Sequence, residues 1–143
     1  MGIKDANNMG AAMAPAAYAT IRAHFDDLKT GPEDFSLIVT GDLGQVGSDL
    51  CRQLLEEKGV TLGGNYTDCG LLLFDRGRQD VHAGGSGCGC SASVLCAHLL
   101  PLMETGAFKR VLFCPTGALM SPTSSQQGES IPGICHAVCL VRK

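Results

Sequence analysis

The stretch from Cys90 to about Glu104 limits the fold more than any other part of the chain. It follows Gly84-Gly85-Ser86-Gly87-Cys88-Gly89 and reads as a helix carrying Ala92, Val94, Leu95, Cys96, Ala97, Leu99 and Leu100. Apolar residues lie nearly all the way round it, and such a helix has to be covered on every side. It belongs between two layers rather than on a surface. Pro101 is expected to kink or shorten it, because proline lacks an N–H and crowds the preceding turn.

The remainder alternates between the two periodicities. Residues 8–30 read as a helix, with Asn7 or Asn8 as N-cap and Met9, Met13, Ala17, Ile21, His24 and Leu28 on one face. Gly31-Pro32 is a stop signal. Phe35 to Thr40 reads as a buried strand ended by Gly41-Asp42. A second helix is expected over Gly44 to Lys58, with Val46, Leu50, Leu54 and Leu55 inward. Asp49, Arg52, Gln53, Glu56 and Glu57 then face water. Leu71 to Phe74 and Arg110 to Pro115 read as further strands. Thr116 to Ser130 is a polar loop, and Ile131 to Val141 is a last strand whose nearly continuous apolar run predicts burial on both faces. The order helix, strand, helix, strand, helix, strand, strand indicates an α/β fold with a mixed, mostly parallel sheet and helices on both faces. The pattern lacks one strand ahead of the first helix.

Composition narrows the function classes. Hydrophobic residues make up 45% of the 143 and charged residues 17%. The formal net charge of −3 gives no electrostatic footprint for nucleic acid. No apolar run approaches the roughly eighteen residues of a membrane span, and nothing reads as a signal peptide. The eight cysteines sit mostly within apolar runs and read as reduced core thiols. A zinc site is the sharper alternative, but Cys88-Gly89-Cys90 has the wrong spacing and no partner pair.

Three segments carry a resemblance: Asp5-Ala-Asn-Asn-Met-Gly-Ala-Ala-Met-Ala-Pro15, Gly84-Gly-Ser-Gly-Cys-Gly-Cys-Ser-Ala-Ser93, and the long run Thr116-Gly-Ala-Leu-Met-Ser-Pro-Thr-Ser-Ser-Gln-Gln-Gly-Glu-Ser-Ile-Pro-Gly133. With the element order, they resemble the stage V sporulation protein AD family of the thiolase superfamily, whose nearest kin by plan are the ketoacyl-acyl-carrier-protein synthase III enzymes. The resemblance implies a thiolase-like half-domain with its last strand antiparallel, covering residues 1–143. It implies an absent N-terminal half and an absent first strand, the latter central in the sheet.

The resemblance also sets expectations for chemistry. Condensing enzymes use a cysteine from the N-terminal half, a histidine after the second strand and an asparagine before the third helix, the last two acting as hydrogen-bond donors to a developing anion. Those last two positions fall near Thr40-Gly41-Asp42 and Ser86 to Cys88, which hold neither an imidazole nor an amide. The expected protein is therefore a binder rather than an enzyme, with an acyltransferase of altered site and a scaffold subunit as rivals. The family resemblance implies dipicolinic acid as ligand, with calcium as a candidate companion and no cofactor. It implies other proteins of the stage V sporulation A complex and a second copy of the chain as candidate partners, and a peripheral place on the cytoplasmic face of the forespore or spore inner membrane. Backbone N–H groups of the turn Gly84, Gly85, Ser86, Gly87 and Cys88 are the expected anion donors. His82, Thr40, Gly41, Asp42, Ser124, Ser125 and Gln126 complete the expected site. Of the other histidines, His24 is expected to be core or edge, His98 a hydrogen-bonded core residue and His136 structural. With half of its layers missing, the chain expressed alone should be poorly soluble. A cooperative melt from a soluble monomer would overturn that expectation.

Overall fold

The computed structural model describes residues 2–85 and 87–143. Helix α1 spans Met9–Leu28, and the Asn8 side chain caps it by accepting the Ala11 N–H at 3.0 Å. The helix runs through Pro15 and ends at Lys29, whose left-handed backbone closes it before Gly31 is reached. Pro32 instead opens a single 3₁₀ turn, Pro32–Asp34. The buried face comprises Ala11, Ala12, Met13, Ala14, Ala17, Ile21 and Phe25. Leu28 is 58% exposed, so Phe25 rather than Leu28 completes the stripe.

Strand β1 (Leu37–Thr40) is fully buried and α2 covers Gly44–Glu56. The inward face of α2 is Gly47, Ser48, Cys51 and Leu55. Val46 is 44% exposed, and Leu50 and Leu54 are half-buried, so the expected inward set is rotated. The rotation has a steric cause, because Gly47 lies against Gly10 of α1. A β-carbon on Gly47 would stand 2.6 Å from the Gly10 carbonyl oxygen, and only a bare backbone permits this crossing.

Two further corrections concern strands. Strand β2 is Tyr66–Asp68, not Leu71 to Phe74; the apolar run Cys69–Leu73 is a short helix, α3. A short apolar run fits either state, and here the Asp68 side chain accepts the Gly70 N–H and starts a helix. After β3 (Arg110–Cys114) the polar loop contains β4 (Thr116–Ala118) and helix α6 (Pro122–Gln126). The expected last strand is two, β5 (Gly133–Cys135) and β6 (Val138–Val141). Strand β5 pairs with β4 in a separate two-stranded sheet, and β6 pairs antiparallel with β3.

The main sheet has the order β2-β1-β3-β6, parallel except for the last strand. Ile38, Tyr66, Leu112 and Cys114 pack under α1 and α2, while Leu37, Val39, Val111 and Phe113 pack under the helix from Cys90. Helices therefore cover both faces. Strands β1 and β3 are direct neighbours, paired from Leu37↔Val111 to Thr40↔Cys114. Burial of β6 on both faces is not found: its ends are exposed, with Val141 at 63%.

The helix from Cys90 is built from α4 (Cys90–Val94), a π turn (Leu95–Leu99) and α5 (Leu100–Thr105). The wide turn directly precedes Pro101, where a regular ladder would lose a donor. Cys90, Val94, Leu99 and Met103 are buried on the sheet. Ala92, Cys96, Ala97 and Leu100 are exposed, so this chain covers one side of the helix and not all of it.

Replacing Gly47 by alanine should lower stability by about 1–3 kcal/mol through overpacking against the Gly10 backbone, despite alanine's better helix propensity. Gly64→Ala, where a methyl group meets nothing within 4 Å, should be near neutral. Denaturant midpoints compare the two. Equal midpoints would mean that the helices do not cross at glycine.

Candidate ligand cleft

An open cleft of about 470 Å³ lies beyond the carboxyl ends of β1 and β2. Asp5, Asn7, Asn8, Met9 and Gly10 at the start of α1 form one wall. Asp42, Leu43, Gly44 and Val46 at the start of α2 form a second, and Ala83, Gly84 and Gly85 a third. Ligands of open α/β sheets bind outside the carboxyl ends of strands, and this cleft has that placement. The amino ends of two helices, 20 and 13 residues long, open onto it. Among the described residues, the N–H groups of Met9, Gly10 and Val46 have no hydrogen-bond acceptor. These donors and the helix dipoles favour negative charge.

The expected donors of the glycine turn are not available. Gly84 N–H donates to the Val81 carbonyl at 2.9 Å, Gly85 N–H to the Gly70 carbonyl at 3.0 Å, and Gly87 N–H to Asp42 Oδ2 at 3.2 Å. The turn serves as a wall, held by its own backbone. Ser86 lies outside the described residues. Gly44 and Gly84 have φ of 62° and 114°, which suit glycine where the chain turns tightly along the cleft.

Asp42 works as a clamp. Its Oδ1 accepts the Thr116 hydroxyl at 2.8 Å, its Oδ2 accepts Gly87 N–H, and its own N–H donates to Thr116 Oγ1 at 3.1 Å. A clamped carboxylate only accepts hydrogen bonds, so it cannot do the work of an imidazole donor beside an oxyanion. Thr40 is buried beneath with its hydroxyl given to Asp68, and Gly41 abuts Thr116 so closely that a β-carbon would collide with its N–H.

Asp68 is fully buried under the cleft floor. Its oxygens accept from Thr40 Oγ1 at 2.7 Å, Leu43 N–H at 3.0 Å, Gly44 N–H at 3.0 Å and Gly70 N–H at 2.9 Å. Burial pushes its pKa up and these four donors pull it back. Backbone N–H groups cannot accept a proton-bearing oxygen's hydrogen, so the geometry suits the ionised carboxylate.

The structure brings Thr40, Gly41, Asp42, Gly84, Gly85 and Gly87 together. It leaves the other expected residues apart. The His82 side chain is 91% exposed, 3.7 Å from an equally exposed Asp80, and Cys88 is exposed outside the cleft lining. Ser124, Ser125 and Gln126 lie on α6, and no hydrogen bond among the described residues joins their side chains to the cleft. Asp5, Asn7, Asn8, Val46 and Asp68 were missed. In the sequence Asn7-Asn8 signals a cap and belongs to a family segment without marking a cleft, and nothing local distinguishes Asp68 from a solvated strand flank.

Among the described residues the thiols and imidazoles form no hydrogen-bonded nucleophile–base pair. Burial pushes Cys51 up to about 12 and Cys90 to about 11, and raises Cys69 further. The neighbouring thiols of Cys114 and Cys135 shift in opposite directions, Cys135 down and Cys114 up, through their mutual interaction. The contact of Cys135 with His136 is to the backbone carbonyl. Among the described residues no histidine side chain hydrogen-bonds a thiol. His98 and His136 are exposed rather than buried, and His24 is half-buried with its ring 5.8 Å from that of Phe35. No group of three or more metal-ligating side chains is found among the described residues.

Fold and cleft together define the class: a layered α/β protein with an open cleft at the ends of its parallel strands. The chain belongs to the stage V sporulation protein AD family, a family of sporulation proteins whose profile matches residues 1–141. It is 48% identical over 142 residues to the stage V sporulation protein AD of Bacillus subtilis (strain 168). That match takes in 99% of this chain and 42% of the relative, so the chain spans less than half the relative's length.

Of the eight thiols, Cys88 and Cys96 are exposed, Cys139 is half-buried and the others are buried. A thiol reagent should therefore label Cys88 and Cys96 first in the native protein and the five buried thiols only on unfolding. Fast native labelling of Cys90 or Cys135 would reveal a reactive thiol and favour the catalytic reading.

Proposed function

We propose that this chain is the non-catalytic C-terminal wall of a dipicolinate-binding protein that supports uptake of dipicolinic acid into the developing spore. The observation that carries the reading is the cleft itself. Two helix amino ends with unpartnered N–H groups open on it, and Asp42 on its wall is held by Thr116 and Gly87. A flat ring with two carboxylates suits such donors and an open slot. The family's sporulation role supports the physiological setting.

The charge balance adds a requirement. Among the described residues, the cleft lining carries Asp5 and Asp42 and no lysine, arginine or histidine. A free dianion meets net repulsion there, whereas a calcium chelate of dipicolinate carries no net charge. Calcium is thus proposed to enter with the ligand. The exposed side of the helix from Cys90 is proposed to receive the N-terminal half, which the thiolase-like plan places against it. Among the described residues no helix is long and apolar enough to cross a membrane, which accords with a peripheral place at the forespore inner membrane beside other proteins of the stage V sporulation A complex.

Calorimetric titration of the full-length protein with dipicolinate, with and without calcium, checks this reading. Calcium should tighten binding. In the titration without calcium, Val46→Glu puts a further negative charge on the cleft wall without removing packing and should weaken binding of the free dianion by about tenfold or more, while Val46→Ala should change little. Unchanged affinity in Val46→Glu would remove this cleft from the site.

A further inference from the structure

Resting on the reading of the cleft as a dipicolinate site, we propose that Asp68 is the positioning residue that sets the cleft's shape without touching the ligand. One carboxylate joins two walls. Its Oδ2 accepts Leu43 N–H and its Oδ1 accepts Gly44 N–H, and both residues line the cleft. The same Oδ1 accepts Gly70 N–H, and the Gly70 carbonyl accepts Gly85 N–H from the opposite wall at 3.0 Å. Gly84 approaches that carbonyl so closely that a β-carbon would sit 3.0 Å from it. One wall is thus held directly and the other through a single residue.

The arrangement is specific to a carboxylate. Three of its four donors are backbone N–H groups, which cannot rotate away or reverse. An amide in its place would turn an NH₂ toward one of them, leaving a buried donor without an acceptor. A hydroxyl chain behind it has its direction set by the same group. Thr40 gives its only proton to Asp68, so Tyr66, 3.2 Å away, donates to Thr40. Ser48 in turn donates to Tyr66 at 3.3 Å. That chain ties the floor to the middle of α2, so the second wall is anchored at two points.

The test compares Asp68→Asn with Leu55→Ala, a core change in the same molecule remote from the cleft lining. Both should lower the melting temperature. Only Asp68→Asn should weaken dipicolinate binding, by about tenfold or more. It should also speed hydrogen exchange at Leu43, Gly44, Gly70 and Gly85 while the amides of β1 and β3 stay protected. Wild-type affinity in folded Asp68→Asn overturns the proposal, as does an equal loss in Leu55→Ala. If Asp68→Asn does not fold, Thr40→Val removes one donor at constant volume. It should weaken binding and loosen the same four amides, and wild-type behaviour there overturns the proposal. If the wild type itself fails to bind dipicolinate, the ligand reading falls. Asp68 is then judged by exchange alone: selective loosening of the four amides upholds its positioning role and uniform loosening ends it.

Discussion

The hydrogen bonds around the buried Asp68 carboxylate organise the structure beneath the cleft. An ionised group removed from water is costly unless every oxygen is satisfied. Asp68 meets that demand with a hydroxyl at the end of β1, two N–H groups at the start of α2 and one at the start of α3. The cost of burial therefore acts as a constraint: the three elements can satisfy the carboxylate only in one mutual arrangement. The cleft is the outer side of that arrangement, and its walls are the residues whose backbones face the carboxylate from above.

A second constraint is steric. Gly10 and Gly47 allow α1 and α2 to touch backbone to backbone, which brings their amino ends together over the strands. Gly70, Gly84 and Gly85 allow the glycine turn to lie against the floor at similar range. Close approach without side chains leaves room for a ligand while keeping the walls rigid. Glycine is useful here for the absence of a side chain as much as for backbone freedom.

The apolar sides are distributed unevenly. The sheet is covered on both faces, yet the outer side of the helix from Cys90 and the ends of β6 stay open to water. Leu100, Val138 and Val141 are exposed in a chain that spans 42% of its relative's length. Such surfaces are a liability for an isolated chain and an asset for one that packs against more polypeptide.

The order of elements was legible wherever a period ran long enough. Met9 to Ile21 marks α1, Gly44 to Leu55 marks α2 and Arg110 to Cys114 marks β3, because burial of one face repeats along the chain. Short runs were not legible. Leu71 to Leu73 suits strand or helix equally until the Asp68 side chain caps it, and Ile131 to Val141 hides a break at which the chain passes from one sheet to another. Of the candidate site, residues 40–42 and the glycines at 84, 85 and 87 were readable from motif and order. By itself the sequence determined the α/β class, the glycines that permit close approach and the lack of a donor at Asp42, since these depend on residue type and local spacing. Tertiary structure alone decided that Asp68 lies under the cleft, that the amino ends of α1 and α2 supply its free N–H groups, and that the glycine turn spends its own. Those facts depend on which backbone groups meet across distant segments, and hydrogen-bond partners separated by tens of residues leave no periodic mark on the chain.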